Sequence, residues 1–425
     1  MTTARFADYI RHDMRKYGVE LPFCFSPYPV VGMPGPVLRQ YVEGNDPVTS
    51  KPLMGEVLDA LTQPGTARLK RPRVKTGTSP RLLKADTEDN LQRLFLEKGW
   101  TDGLPIVLPT EERVAAMLKG TSGTPTQKVG AMSITDSAAP QAYTVEKVAI
   151  NAVMAGARPE HLPVILAIAS TDQPAFLGST TSFAAMVVVN GPIRNQLRMN
   201  AGVGAMSPFN LANSVIGRAW TLMTINFGNT SVGETFLGSQ GNNLNYNNMC
   251  FAENEEHSVW EPFHEQKGFR ADESVVSVFR GWSVLNSMGC TNQRPAQDET
   301  VILLKAFSGL RSVATLILDP LVARNLKEMQ GFGTKADYSR WLSENVKVPA
   351  GQYWAADMVY AFMLPLAGQG IEPYASWRNL PDDALLTPFN YPQNINVIVA
   401  GGETNAFWKT TDFEHVVSAS VDEWR

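Results

Sequence analysis

The densest run of ionisable side chains lies at 250–264, where Glu253, Glu255, Glu256, Glu261, His257 and His264 are grouped around Trp260. Acid–base chemistry needs a carboxylate or imidazole whose proton affinity is tuned by burial, and an aromatic neighbour supplies such burial. Glu253, Glu255, Glu261 and His264 are therefore candidate proton-transfer groups. The competing reading is a solvated acidic turn leading into a helix. A third reading makes Glu253, His257, Glu261 and His264 metal ligands, since steps of 4, 4 and 3 residues suit one helical face. Pro262 is expected to break that helix, so no metal is assigned.

A second polar region precedes this one. Asn190-Gly191-Pro192 follows an apolar run, and Asn200, Gly202, Gly204, Asn210, Asn213 and Arg218 come after it. Strand ends are where α/β proteins bind ligands. Glycines let backbone approach a ligand, and a helix N-terminus favours an anion. Asn200, Asn213 and Arg218 are thus candidates for holding a polar or anionic molecule. Turn chemistry and close helix packing at Gly217 would explain the same residues without a ligand. The asparagines at 242–248 read as turns, because their side chains bond nearby backbone. Asp102-Gly103 also reads first as a turn. Cys290 sits in a small-residue loop with no partner base in view, and Gly401-Gly402 is a weak candidate for a phosphate cradle. There is no Walker A loop, GxGxxG or GxSxG, so the cofactor stays unassigned.

The elements that must position these groups follow from periodicity and punctuation. Helices are expected at 6–17, 50–62, 86–98, 110–120, from 144, at 208–226 with Pro208 in the first turn, and at 320–330 and 335–345. Strands are expected at 21–25, 104–108, 184–189, 275–279, 313–318 and 395–399, with 127–134 extended. Strands and helices alternate. The expected class is α/β, with mixed or mostly parallel sheets, flanking helices and a partial N-terminal α/β segment. The segment 1–63 holds too little to bury both faces of a strand and is expected to dock. A basic, acid-free linker follows at 64–85. The main domain is 86–425, with a possible division into lobes near 270–300.

Composition narrows the function. The chain has 425 residues, 44% of them hydrophobic, and a formal net charge of −4. A chain of that size buries a sizeable core, and its acidity argues against nucleic acid as the main partner. The apolar runs at 164–169 and 184–189 are far shorter than a membrane span. No apolar signal region opens the chain, and Cys24, Cys250 and Cys290 are sparse and far apart. A cytoplasmic protein with reduced thiols is expected.

Several stretches together carry a resemblance. They are Trp100-Thr-Asp-Gly-Leu-Pro-Ile-Val-Leu-Pro-Thr110, the 144–156 motif with Arg158-Pro-Glu160, Asn190-Gly-Pro192, Ala212-Asn213 with Ile216-Gly-Arg218, and Cys250-Phe-Ala-Glu-Asn-Glu255 with Trp260-Glu-Pro262 and His264. From Asp86 onward the chain resembles the large proteins related to, and often fused or paired with, the small UGSC-motif thiol/selenol domain. Tyr28-Pro-Val30 and 52–61 look similar to the final part of that small domain, whose motif-bearing first part this chain lacks. The resemblance implies that Asp102 and Asn151 join the substrate-binding set. It implies a separate small thiol-bearing subunit docking on 1–63, because the motif-bearing half of that domain is missing here, and it excludes a thiol role at Ala157, where a cysteine is expected. It also implies an enzyme subunit in redox or carbon–heteroatom bond chemistry on a polar or anionic small molecule. A self-contained hydratase or lyase, or a non-catalytic binding or scaffold subunit, are the alternatives.

Overall fold

In the computed structural model of the chain, residues 2–17, 21–30, 32–62, 81–135, 140–291 and 293–425 are described. Most of the expected basic linker lies outside them. The chain forms two compact units, Met1–Ala85 and Asp86–Arg425. Among the described residues no helix is long and apolar enough to cross a membrane.

The first unit is small. Strand β1 (Thr2–Thr3) pairs in parallel with β2 (Phe25–Ser26), and α1 (Ala7–Tyr17), α2 (Gly35–Glu43) and α3 (Leu53–Thr62) accompany them. The strand expected at 21–25 is thus reduced to β2. The helix expected from Ser50 starts at Leu53, because Ser50 turns with φ 61° and its N–H donates to the Asp46 carbonyl. Asp46 is fully buried and accepts from the N–H groups of Phe25, Val48 and Thr49. Burial opposes its charge, but these donors prevail and hold its carboxyl below the ordinary value.

The second unit opens with α4 (Glu88–Glu97), α5 (Glu111–Leu118), the hairpin β3 (Lys128–Met132) and β4 (Gln141–Thr144), then α6 (Val145–Met154) and α7 (Leu162–Ser170). Next come β5 (Ala184–Asn190), α8 (Ile193–Gln196), α9 (Leu211–Phe227), β6 (Cys250–Ala252), α10 (Phe263–Gln266), β7 (Val275–Gly281) and β8 (Val284–Asn286). The rest is α11 (Ala296–Leu304), β9 (Ala314–Leu318), α12 (Pro320–Glu328), α13 (Lys335–Asn345), β10 (Val348–Pro349), α14 (Ala350–Ala355), α15 (Asp357–Gly368), α16 (Tyr374–Trp377), β11 (Leu385–Leu386), β12 (Ile395–Val399), β13 (Trp408–Thr411) and β14 (Glu414–Ser420).

Two mixed four-stranded sheets result, in the orders β14-β7-β5-β6 and β12-β9-β13-β8. In each, one pair is parallel, β5 with β6 and β12 with β9, and the others are antiparallel. Side chains alternate across a strand. Ala185, Val187 and Val189 of β5 therefore pack in the cluster with α6, α7 and α9, while Ala184, Met186 and Val188 meet Ile317 of β9 and Ile398 of β12. Leu316 and Leu318 of β9 and Val397 and Val399 of β12 turn the other way, onto α12 and α13. The second unit is a four-layer α/β/β/α stack, and strands buried on both faces read as unbroken apolar runs. Strands β5, β6 and β7 of the first sheet all precede β8, β9, β12 and β13 of the second in the chain. The last strand, β14, returns to β7 of the first sheet, while β13 joins the second.

Two expectations fail for local reasons. Residues 104–108 form no strand. Gln92 of α4 supplies a side-chain amide in place of a neighbouring strand, its Nε2 donating to the Ile106 carbonyl at 2.7 Å and its Oε1 accepting from the Ile106 N–H at 3.3 Å. Helix α9 starts at Leu211, beyond Pro208, because the Asn210 side chain caps it by accepting from the Asn213 N–H. Along α9, a Cβ on Gly217 would lie 1.9 Å from the Asn247 carbonyl oxygen and 2.9 Å from Cys250 Cβ. Gly217→Ala is expected to cost roughly 3 kcal/mol of stability in urea unfolding, through backbone displacement at this crossing.

Candidate functional site

The acidic segment does not form one helix. After β6 it turns, Pro262 stands just before α10, and the side chains divide. Glu253 is fully buried and saturated. Its Oε1 accepts from Lys335 Nζ at 2.8 Å and the Val399 N–H at 3.2 Å, and its Oε2 accepts from Asn190 Nδ2 and the Phe263 N–H, each at 2.7 Å. Glu255 Oε1 accepts from Asn190 Nδ2 and the Gly191 N–H, and its Oε2 accepts from Arg194 Nη2 at 2.8 Å. Arg194 also clamps Glu256 through both terminal nitrogens, at 2.8 and 2.7 Å. That clamp pulls the Glu256 carboxyl down to about 2 from an ordinary 4.5. His264 is fully buried, with Nδ1 4.0 Å from Glu255 Oε1 and no hydrogen bond to either ring nitrogen among the described residues. Glu261 is exposed and apart from these groups.

Of the four expected proton-transfer residues, Glu253, Glu255 and His264 thus come together; the two carboxylates are engaged in an ion network, while both ring nitrogens of His264 are without a hydrogen-bond partner among the described residues. The exposed His257 pairs instead with Glu403, Nδ1 to Oε2 at 2.7 Å. Among the described residues no group of His, Cys, Asp and Glu is arranged to hold a metal ion.

The expected binding residues separate into two places. Asn213 Oδ1 accepts from the Asn200 N–H, and its Nδ2 donates to the carbonyls of Asn200 and Ala205. Both residues therefore fix their own loop. The same loop occupies the expected phosphate cradle, since a Cβ on Gly402 would lie 2.5 Å from the Val203 nitrogen. Asp102, Asn151 and Arg218 converge on the loop after α4. Arg218 binds Asp102 in a two-point fork, Nε to Oδ2 at 2.8 Å and Nη2 to Oδ1 at 3.0 Å, and also donates to the Pro105 carbonyl. Asn226 Nδ2 donates to Asn151 Oδ1 at 2.7 Å and to the Trp100 carbonyl at 3.3 Å. One face of α9 thus holds this loop.

That loop forms one wall of a cleft of about 750 Å³. Thr101 and Asp102, Thr221 and Ile225 of α9, and Phe236 and Tyr246 line it. The asparagine run builds the remaining wall. Asn242 Nδ2 donates to the carbonyls of Ser182 and Trp282, and Asn245 Nδ2 to that of Phe183. Asn245 Oδ1 is buried without a partner among the described residues. Phe176, Phe236, Asn242 and Asn245 were not expected from the sequence, where the asparagine repeat was the one visible signal.

Cys24 and Cys250 are buried and Cys290 is half-buried. Burial pushes Cys250 up to about 12, and burial also raises Cys24 and Cys290. No family model, curated protein or solved structure matches the chain.

Two outcomes follow from the network. Lys335→Met leaves the Glu253 charge buried without its counter-ion and is expected to cost about 3–5 kcal/mol in chemical denaturation. Glu256 has a depressed folded-state value, so its stabilising contribution is complete above pH 4.5 and is lost as pH falls towards 2. Glu256→Gln is expected to flatten the acid limb of a stability–pH curve in that window, and an unchanged limb would contradict this.

Proposed function

We propose that the 86–425 unit is the substrate-binding part of an enzyme that transforms a polar small molecule in the cleft beside Asp102. It acts with a separate thiol-bearing subunit in redox or carbon–heteroatom bond chemistry. The observation that carries this reading is the cleft itself. It has the size of a small-molecule site, and its lining combines the rings of Phe176, Phe236 and Tyr246 with polar groups such as Asp102, Asn242 and Asn245. The burial of Cys24 and Cys250 supports a thiol supplied from outside the chain. One observation favours a second reading, a binding subunit without chemistry of its own: the carboxylate in the cleft wall is already engaged by Arg218.

Val232 lines the cleft and is 84% exposed, so Val232→Trp narrows it without disturbing the core. Isolated from its host cells, the wild-type complex is expected to show a small thiol-containing subunit at fixed stoichiometry in native mass spectrometry. Fractionated polar metabolites are expected to raise the melting temperature of that complex but not of the Val232→Trp complex. A homo-oligomer whose melting temperature responds identically in both forms would overturn the reading.

A further inference from the structure

A second cleft, of about 410 Å³, opens where β7 and β14 meet the turn before β9. Its charged groups come from three separated segments: Arg280 of β7, Arg311 of the turn, and Asp412 with Glu414 at the start of β14. Glu414 stands opposite Arg280 in the strand register and 3.6 Å from Arg311 Nη1. The floor is aromatic. Phe183 and Trp282 pack with ring centroids 4.5 Å apart, and the Arg280 guanidinium lies 6.0 Å over Phe183. Trp282 is fixed in turn, since its Nε1 donates to Thr181 Oγ1 at 2.9 Å.

The backbone is built to hold these groups in place. Arg311 and Ser312 both take φ 60°, an arrangement that costs of order 1–3 kcal/mol per residue and persists only where its surroundings enforce it. Here Ser312 Oγ is held by the Pro388 carbonyl and Asn390 Oδ1, and the Arg311 carbonyl accepts from Asn394 Nδ2. Asp412 is equally fixed. Its Oδ1 accepts from the N–H groups of Trp282 and Ser283, at 2.9 and 2.8 Å, which leaves Oδ2 without a hydrogen-bond partner among the described residues. Gly281 makes room for it, since a Cβ there would lie 2.8 Å from Asp412 Oδ1.

We propose that this cleft binds a small carboxylate with an aromatic or branched apolar body, the carboxylate on Arg311 and the body on Phe183 and Trp282. Arginine suits the role because its planar fork meets a carboxylate at two points and its face stacks on rings. Asp412 Oδ2 sets the finer selectivity by accepting an N–H or O–H carried next to the carboxylate. Burial raises the Asp412 carboxyl above its ordinary value, which lowers the cost of keeping a carboxyl beside an anionic ligand.

The test is titration of the full chain with phenylacetate and, separately, with neutral phenylacetamide. Tryptophan fluorescence and calorimetry are the readouts. Phenylacetate is expected to bind, phenylacetamide at least about tenfold more weakly, and Arg311→Gln to weaken phenylacetate by about tenfold, the effect of one charge-assisted hydrogen bond. Arg311 is 62% exposed in its side chain, so that variant is expected to fold. Val232→Trp is expected to bind phenylacetate like wild type, which separates this site from the Asp102 cleft. Absence of binding at millimolar phenylacetate, equal binding of the amide, or an unchanged Arg311→Gln affinity would overturn the proposal.

Discussion

The carboxylate of Glu253 is the point on which the four-layer unit depends. Four donors reach it from four elements: Asn190 at the end of β5, Phe263 at the start of α10, Lys335 at the start of α13 and Val399 at the end of β12. β5 belongs to one sheet and β12 to the other, so one side chain joins both sheets to a helix of the outer layer. Apolar contact between the sheets at Met186, Val188, Ile317 and Ile398 supplies attraction but little direction, because it is non-directional. Hydrogen bonds have direction, and those on Glu253 hold the strand ends in one relative position. Burying the Glu253–Lys335 pair offers no assured net gain, since desolvating each ion costs several kcal/mol. Its value lies in the cost of every arrangement that would leave either charge alone.

This constraint explains why the most chemistry-rich segment of the sequence is architectural. A carboxylate that already accepts four hydrogen bonds has no lone pair left for a substrate proton. Glu255 and Glu256 are held almost as fully by Arg194, Asn190 and Asn195. Open capacity remains at His264, whose two ring nitrogens are buried without a partner among the described residues, and at Asp412 Oδ2. Asp412 lines a cleft just before a strand, where a rigid stack can present a side chain to a small molecule.

Much of the layering was legible because the long apolar strands read as unbroken runs and several helices carry a side-chain cap. Thr110, Asp319 and Thr334 cap α5, α12 and α13 through side-chain oxygens. The runs 184–189 and 395–399 became β5 and β12. Residues 104–108 misled because a side chain from α4 imitates a strand, and no periodicity reports that. Asp102, Asn151 and Arg218 were legible as separate candidates. Their meeting was not, since the Asp102–Arg218 fork spans 116 positions. The second cleft was the least legible. Arg280, Arg311 and Asp412 stand on distant segments, and a left-handed arginine leaves no mark in the sequence. Gly281 before Trp282 was its one local sign, a glycine where Asp412 must approach.

The two clefts are not mechanically separate. Asn242 lines the Asp102 cleft, yet its amide nitrogen is bonded to the carbonyls of Ser182 and Trp282, at 3.0 and 2.9 Å, and Trp282 is the floor of the other cleft. Asn245 repeats the link through the Phe183 carbonyl. Moving Trp282 or Phe183 to admit a bulkier body would stretch these bonds or carry the asparagines along, and broken amide–carbonyl bonds in part-buried positions are costly. The asparagine run is therefore more than turn chemistry. It sets the width of one cleft by holding the backbone of the other, and either cleft can change shape only to the extent that these shared bonds allow.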